Sequence, residues 1–103
     1  MQVKAVKRGQ VLRVKLSGEL DHHNAKRLAE QLDAMLYDRE ITKLQLDLKD
    51  LSFMDSSGIG VLLGRYKKLS GRGGSVHVMN ENDAIQRIFQ LSGLYRVIGR
   101  MSS

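Results

Sequence analysis

The chain contains no cysteine, no proline and no tryptophan. Without cysteine, neither disulfides nor thiolate metal sites can hold the fold, which is consistent with a reducing compartment. With only three tyrosines and two phenylalanines, there is no aromatic array on which bases could stack. No apolar run approaches the roughly 18 residues that a membrane span needs, and the opening "MQVKAVKRGQ" lacks the apolar core of a signal peptide. These absences imply a cytoplasmic protein with no membrane span. Proline punctuates no boundary, and no repeat, linker or low-complexity tract divides the sequence. The expectation is a single domain over residues 1–103.

A hydrophobic fraction of 42% in 103 residues allows a real but small core. Seventeen Lys and Arg against eleven Asp and Glu leave a net charge of +6. Along the sequence these cations are scattered rather than clustered. That pattern favours a solubilising surface and no direct contact with nucleic acid.

Alternation of apolar residues predicts strands at "QVKAVK" and "VLRVKL", joined by a turn at Arg8-Gly9-Gln10. "SGELDHH" reads as a loop. A helix is then expected from about Asn24 to Tyr37, with Ala25, Leu28, Ala29, Leu32, Met35 and Leu36 on one face. Asp21 is the expected N-cap, with His22 and His23 in the first turn. "ITKLQLDL" is the next strand, followed by a helix from about Ser57 to Ser70. "SVHVMN" is a strand, and "DAIQRIFQLSG" is a helix with Ile85, Ile88 and Phe89 inward and Gly93 as its stop. "YRVIGRM" supplies a last edge element. This order, β-β-α-β-α-β-α-(β), implies an α/β domain with a mixed sheet and parallel crossovers. Functional groups in such sheets gather at the carboxyl ends of strands. Asp21, Ser56 and the Asn80–Asp83 loop would then meet at one edge.

The stretch "LSFMDSSGIGVLLGRYKKL" poses the sharpest question. Asp55, Ser56 and Ser57 are good N-terminal capping residues. Behind them, however, stand Gly58, Gly60 and Gly64, each costing about 1 kcal/mol in a helix interior. Helical spacing puts Ile59, Leu62, Leu63 and Tyr66 inward. Ser57, Val61, Arg65 and Lys68 fall outward, bordered by Gly60 and Gly64. Such a smooth face suits close approach by another backbone, from a partner or from the same chain. A phosphate on Ser56 or Ser57 would meet the positive end of the helix and be opposed by Asp55. The surface would then change sign while the fold survives.

Other chemistries fit poorly. "MDSSG" lacks the leading glycine of a nucleophile elbow, and "GIGVLLGRY" lacks the Gly-Lys-Ser/Thr of a phosphate loop. His22 and His23 are adjacent, whereas helical metal ligands usually stand four residues apart. No metal or cofactor is implied.

"LSGELDHHNAKRL", "LDLKDLSFMDSSGIGVLLGRYKKL", the Gly-Gly before a strand and "RIFQLSGLYRVI" together resemble the anti-sigma factor antagonists, specifically the sporulation branch. The likeness runs through nearly the full chain in order. It implies a STAS fold, a small mixed sheet with helices mainly on one face. It implies a partner as well, an anti-sigma factor that is itself an ATP-dependent serine kinase. The unphosphorylated antagonist binds this kinase and releases the sigma factor. Phosphorylation of the serine after the Asp, here Ser56, ends binding, and a serine phosphatase resets it. The protein would thus be a substrate of enzymes rather than an enzyme. By the same resemblance Asp21, Asp55, Ser57, Gly58, Ile59, Gly60 and Val61 belong to the partner contact. A STAS module regulating a transporter or signalling assembly without phosphotransfer is the other reading.

Overall fold

The computed structural model describes residues 1–101. Five strands form one sheet in sequence order: β1 (Gln2–Arg8), β2 (Val11–Leu20), β3 (Lys43–Met54), β4 (Ser75–Met79) and β5 (Gly99–Arg100). The β1–β2 hairpin is antiparallel, and every later pairing is parallel. Helices α1 (Ala25–Leu36), α2 (Ser56–Ser70) and α3 (Asp83–Ser92) make the three crossovers, with a one-turn 3-10 helix at Leu94–Arg96 before β5. A sheet that grows in one direction through right-handed crossovers receives all its helices on one face. The mixed sheet and its helices match the expected STAS fold.

Burial follows that layering. Leu12, Val14 and Leu16 of β2, Leu44, Leu46 and Leu48 of β3, and Val76 and Val78 of β4 point under the helices and are buried. Leu28, Leu32 and Leu36 of α1, Leu62 and Leu69 of α2, and Ile85 and Phe89 of α3 close over them. Gly93 ends α3 in the left-handed conformation, φ 75°, as expected. Ile88 is only half-buried.

Three boundaries differ from the sequence reading. Ser17–Leu20 is not a loop but the end of β2, and β3 runs on to Met54. The two strands stay paired through register shifts at Lys15/Ser17 and Gly18/Glu19. Those shifts break the alternation on which a strand is recognised. The N-cap of α1 is Asn24, not Asp21. His22 and His23 lie in the turn before the helix.

The C-terminal segment is held by a polar cluster. Glu81 is buried, and it accepts a 2.6 Å hydrogen bond from the Tyr95 hydroxyl. Arg100 Nε lies 3.2 Å from the same carboxylate, with its guanidinium 4.7 Å from the Tyr95 ring centroid. Burial and the Glu81 carboxylate push the Tyr95 hydroxyl well above the usual tyrosine range. The phenol therefore stays a donor, and β5 is fastened to the loop after β4. Among the described residues, no helix is long and apolar enough to cross a membrane.

Candidate functional site

The carboxyl ends of β2 and β3 lie side by side, and Asp55 links the two segments that leave them. As N-cap of α2, its Oδ1 accepts from the Ser57 N–H at 2.8 Å. Its Oδ2 accepts from the His22 N–H at 3.2 Å, and its own N–H donates to the Leu20 carbonyl at 3.2 Å. One residue thus starts the helix and ties it to the loop carrying Asp21. Asp21 is ordered in its turn: its Oδ1 accepts from the His23 N–H at 2.9 Å, and its N–H donates to Asn24 Oδ1 at 3.0 Å. Hydrogen bonding from the His23 N–H is the main cause that holds the Asp21 carboxyl below the usual range. The imidazoles of His22 and His23 are exposed, with ring centroids 3.9 Å apart.

Ser56 is the first residue of α2 and is exposed. Among the described residues, neither its hydroxyl nor that of Ser57 is engaged in a hydrogen bond, and neither histidine reaches them. The two serines are therefore not equivalent. Ser57 is half-buried and its N–H is held by Asp55, whereas Ser56 projects freely.

The exposed line of α2 is Ser56, Gly60, Lys67 and Ser70, with Leu63 half-buried within it. This corrects the expected outward face. Val61 is buried, 6% exposed, and cannot meet a partner from the surface. The line through Val61, Arg65 and Lys68 turns toward α1. Arg65 Nε lies 3.1 Å and Lys68 Nζ 2.9 Å from Asp33 Oδ1. A helix wedged between a sheet and a second helix buries a wider arc than one apolar stripe suggests. Ile59 is buried too, at 9%.

The three glycines have different reasons. A Cβ on Gly58 would overlap Met54 Cγ and lie 3.0 Å from Leu20 Cδ2, so Gly58 lets α2 sit down on β2 and β3. Cβ atoms on Gly60 and Gly64 would meet nothing within 4 Å. The packing of this chain does not require those two glycines, and packing within the chain is excluded as their reason. They leave a bare surface beside Ser56.

One further feature completes the site. Phe53 is 47% exposed and stands two residues before Asp55, opposite Glu19 on β2. The sequence reading did not single it out, because an exposed aromatic on a strand has no local signature. The Asn80–Asp83 loop does not reach Ser56. Asn80 donates to Asp47 at 2.9 Å and Asn82 to the Leu51 carbonyl at 3.4 Å, because β4 ends opposite Asp47 while β3 continues to Met54. A concavity of about 620 Å³, lined by Asp33, Tyr37, Arg39 and Arg72 among others, lies at the far end of α2. A helix of 15 residues puts it about 20 Å from Ser56. Among the described residues, no cluster of His, Asp or Glu has the arrangement of a metal site.

A mixed sheet with a serine-headed helix at its carboxyl edge defines a class, and the STAS domain profile matches residues 2–103. The chain belongs to the STAS domain family. Among its relatives is the anti-sigma F factor antagonist of Paenibacillus polymyxa, 44% identical over 88 residues, which are 85% of this chain and 75% of that one. The solved structure of the anti-sigma factor antagonist SpoIIAA in its unphosphorylated form superposes with a TM-score of 0.77 at 28% identity, covering 99% of this chain and 87% of that one. The phosphorylated form of SpoIIAA from Bacillus gives 0.79, also at 28% identity, covering 99% and 91%.

Proposed function

We propose that this protein is a cytoplasmic anti-sigma factor antagonist, a single STAS module switched by phosphorylation of Ser56. Unphosphorylated, it captures a serine-kinase anti-sigma factor and so releases the sigma factor. The observation that carries this reading is the free, exposed Ser56 hydroxyl at the start of α2, on a helix end clamped by Asp55 and bordered by bare Gly60.

The contact surface would comprise Asp21, Asp55, Ser57 and Gly60 at the rim, with Phe53 as an aromatic anchor. Gly58 and Ile59 act from beneath by setting the height and tilt of the helix start. In the transfer step, the Ser56 oxygen attacks the γ-phosphorus of ATP held by the partner. An O–P bond forms, ADP leaves, and the serine proton passes to a base on the partner. The phosphoserine adds about −1.5 to −2 charges. The partial positive charge of the helix N-terminus favours it by roughly 0.3–1 kcal/mol, while the Asp55 carboxylate opposes it. The fold is therefore left intact, and the docking surface becomes strongly anionic. A serine phosphatase would restore it.

The direct test mixes the purified chain with a sporulation anti-sigma F kinase and ATP, followed by intact mass and peptide mapping. One added phosphate on Ser56 is the expected result. Phosphate on Ser57 would move the site, and none from an active kinase would remove the phosphoryl switch.

Gly60 provides an independent check. Gly60→Leu fills open space and gains helix propensity, so it should stabilise the isolated protein by up to about 1 kcal/mol. The same side chain should weaken kinase capture at least tenfold, about 1.4 kcal/mol. Thermal melts and titration of the kinase read the two effects separately. Unchanged capture would take the exposed line of α2 out of the interface.

A further inference from the structure

The cations that look scattered in the sequence are collected by the fold. Lys4 and Arg8 of β1 lie on the sheet face away from the helices, as do Arg13 and Lys15 of β2 and Lys43 of β3. Of these, Lys15 is neutralised by Asp50 at 3.0 Å. Lys4, Arg8, Arg13 and Lys43 meet no carboxylate among the described residues, whereas Lys7, Arg65, Lys68 and Arg100 each do. Lys4 stands directly across from Lys15, and like charges opposite one another weaken a sheet. Asp47 shares this face opposite Lys15 and is held by Asn80, so the uncompensated charge collects at the end of the sheet where Arg8, Arg13 and Lys43 surround Val11.

Part of this face is organised. Arg13 Nε and Nη2 both donate to Gln45 Oε1, at 3.3 and 3.2 Å. The guanidinium is thereby oriented, and the Gln45 amide nitrogen is left as a further donor. Arg8, Val11, Arg13 and Gln45 line a concavity of about 420 Å³. Its side-chain polar groups are donors, with the one acceptor already used.

We propose that this face docks onto the phosphate backbone of duplex nucleic acid without reading bases. Protein interfaces have cores depleted of charge and rich in aromatics, and here only Val6 and Val11 are apolar. Single strands are held by aromatic stacking, and the aromatic residue of these strands, Phe53, stands ten residues from Lys43 at the opposite end of β3. A twisted sheet is a saddle, which follows the flank of a rod better than it lies on a flat bilayer. The four free cations span about 14 Å along the strands and about 10 Å across three of them, a footprint that meets a few successive phosphates of a duplex. Neutral donors such as Gln45 and Ser17 suit phosphate oxygens.

The test is fluorescence anisotropy of a short labelled duplex of arbitrary sequence against the full chain. Four phosphate contacts predict a slope of log K against log salt of about −3.6, or roughly 100-fold weaker binding between 50 and 200 mM salt. Reversing Arg8 and Arg13 together to Glu should weaken binding at low salt at least tenfold and make the slope shallower by about 2. Lys43→Glu, which leaves the Arg13–Gln45 contact in place, serves as the second variant and should act in the same direction. Reversing Lys26 and Arg27 on α1 changes net charge by the same amount and should act far less. Circular dichroism confirms that each variant is folded. Three results would overturn the proposal: no binding at low salt, equal loss from the α1 reversal, or attachment only to phosphatidylserine vesicles.

Discussion

Ser56→Asp should weaken capture of a kinase-type anti-sigma factor by roughly 100-fold or more. A carboxylate at this point enters the rim of the proposed docking surface, beside Asp21 and Asp55. An added charge that is desolvated on binding without a partner costs about 2–5 kcal/mol, and every 1.4 kcal/mol is tenfold. The fold should be indifferent to the change. Ser56 is exposed, its hydroxyl holds nothing, and a carboxylate in the first turn of α2 is favoured by the helix dipole. Thermal stability should therefore move by less than about 1 kcal/mol while binding collapses. Ser56→Ala should bind as wild type and resist phosphorylation. Ser57→Ala should keep the fold and phosphorylation of Ser56, because Ser57 is held by its backbone N–H, not by its hydroxyl, and as the loss of one rim contact it should weaken capture by less than about tenfold. Isothermal titration of the three variants against the kinase, with ATP and with ADP, separates these outcomes. Wild-type affinity from Ser56→Asp would show that charge at this position is not the switch.

The contrast between Ser56 and Ser57 shows where the sequence is informative and where it stops. Local alternation identifies the cores of β2 and β3, because Leu12, Val14 and Leu16 and then Leu44, Leu46 and Leu48 each face one layer. Gly93 marks its helix end because the turn closes in the left-handed conformation, which glycine adopts without a Cβ penalty. Past Ser17 and Leu48 the pattern fails, since the paired strands shift register and apolar residues no longer alternate. The burial of Val61 is invisible locally: it depends on α1 lying beside α2, with Asp33 reaching Arg65 and Lys68. The same is true of the clamp. That Asp55 holds His22, 33 residues earlier, follows from parallel pairing of β2 with β3, not from either motif. The basic face is the clearest case. Lys4, Arg8, Arg13 and Lys43 have no common spacing, and only strand register brings them together.

Gly74→Ala is expected to be the most damaging single-methyl change in the chain. Gly74 joins the end of α2 to β4, where its N–H donates to the Leu69 carbonyl at 2.8 Å and the next N–H, of Ser75, donates to the Thr42 carbonyl at 2.9 Å. A Cβ there would overlap the Thr42 oxygen, lie 2.9 Å from the Thr42 carbon and 3.1 Å from the Leu69 oxygen. All three are backbone atoms, so no side-chain rotamer can relieve the overlap. Either the α2–β4 connection or the start of β3 must move, and the hydrogen bonds at the junction weaken with it. Overpacking of this kind costs about 3 kcal/mol, the upper part of its usual range. For a domain of this size that lowers the melting temperature by roughly 10–20 °C. Gly58→Ala offers a graded comparison. Its Cβ meets the side chains of Met54 and Leu20, which can yield, and the gain in helix propensity offsets part of the cost. Gly73→Ala meets nothing within 4 Å, but its φ of 72° carries a left-handed penalty of about 1–2 kcal/mol. Thermal melts should therefore rank Gly74→Ala as the least stable of the three. A melting temperature within a few degrees of wild type for Gly74→Ala would mean that the junction has room to open, and that the spacing between α2 and the β3–β4 pair is not fixed by this glycine.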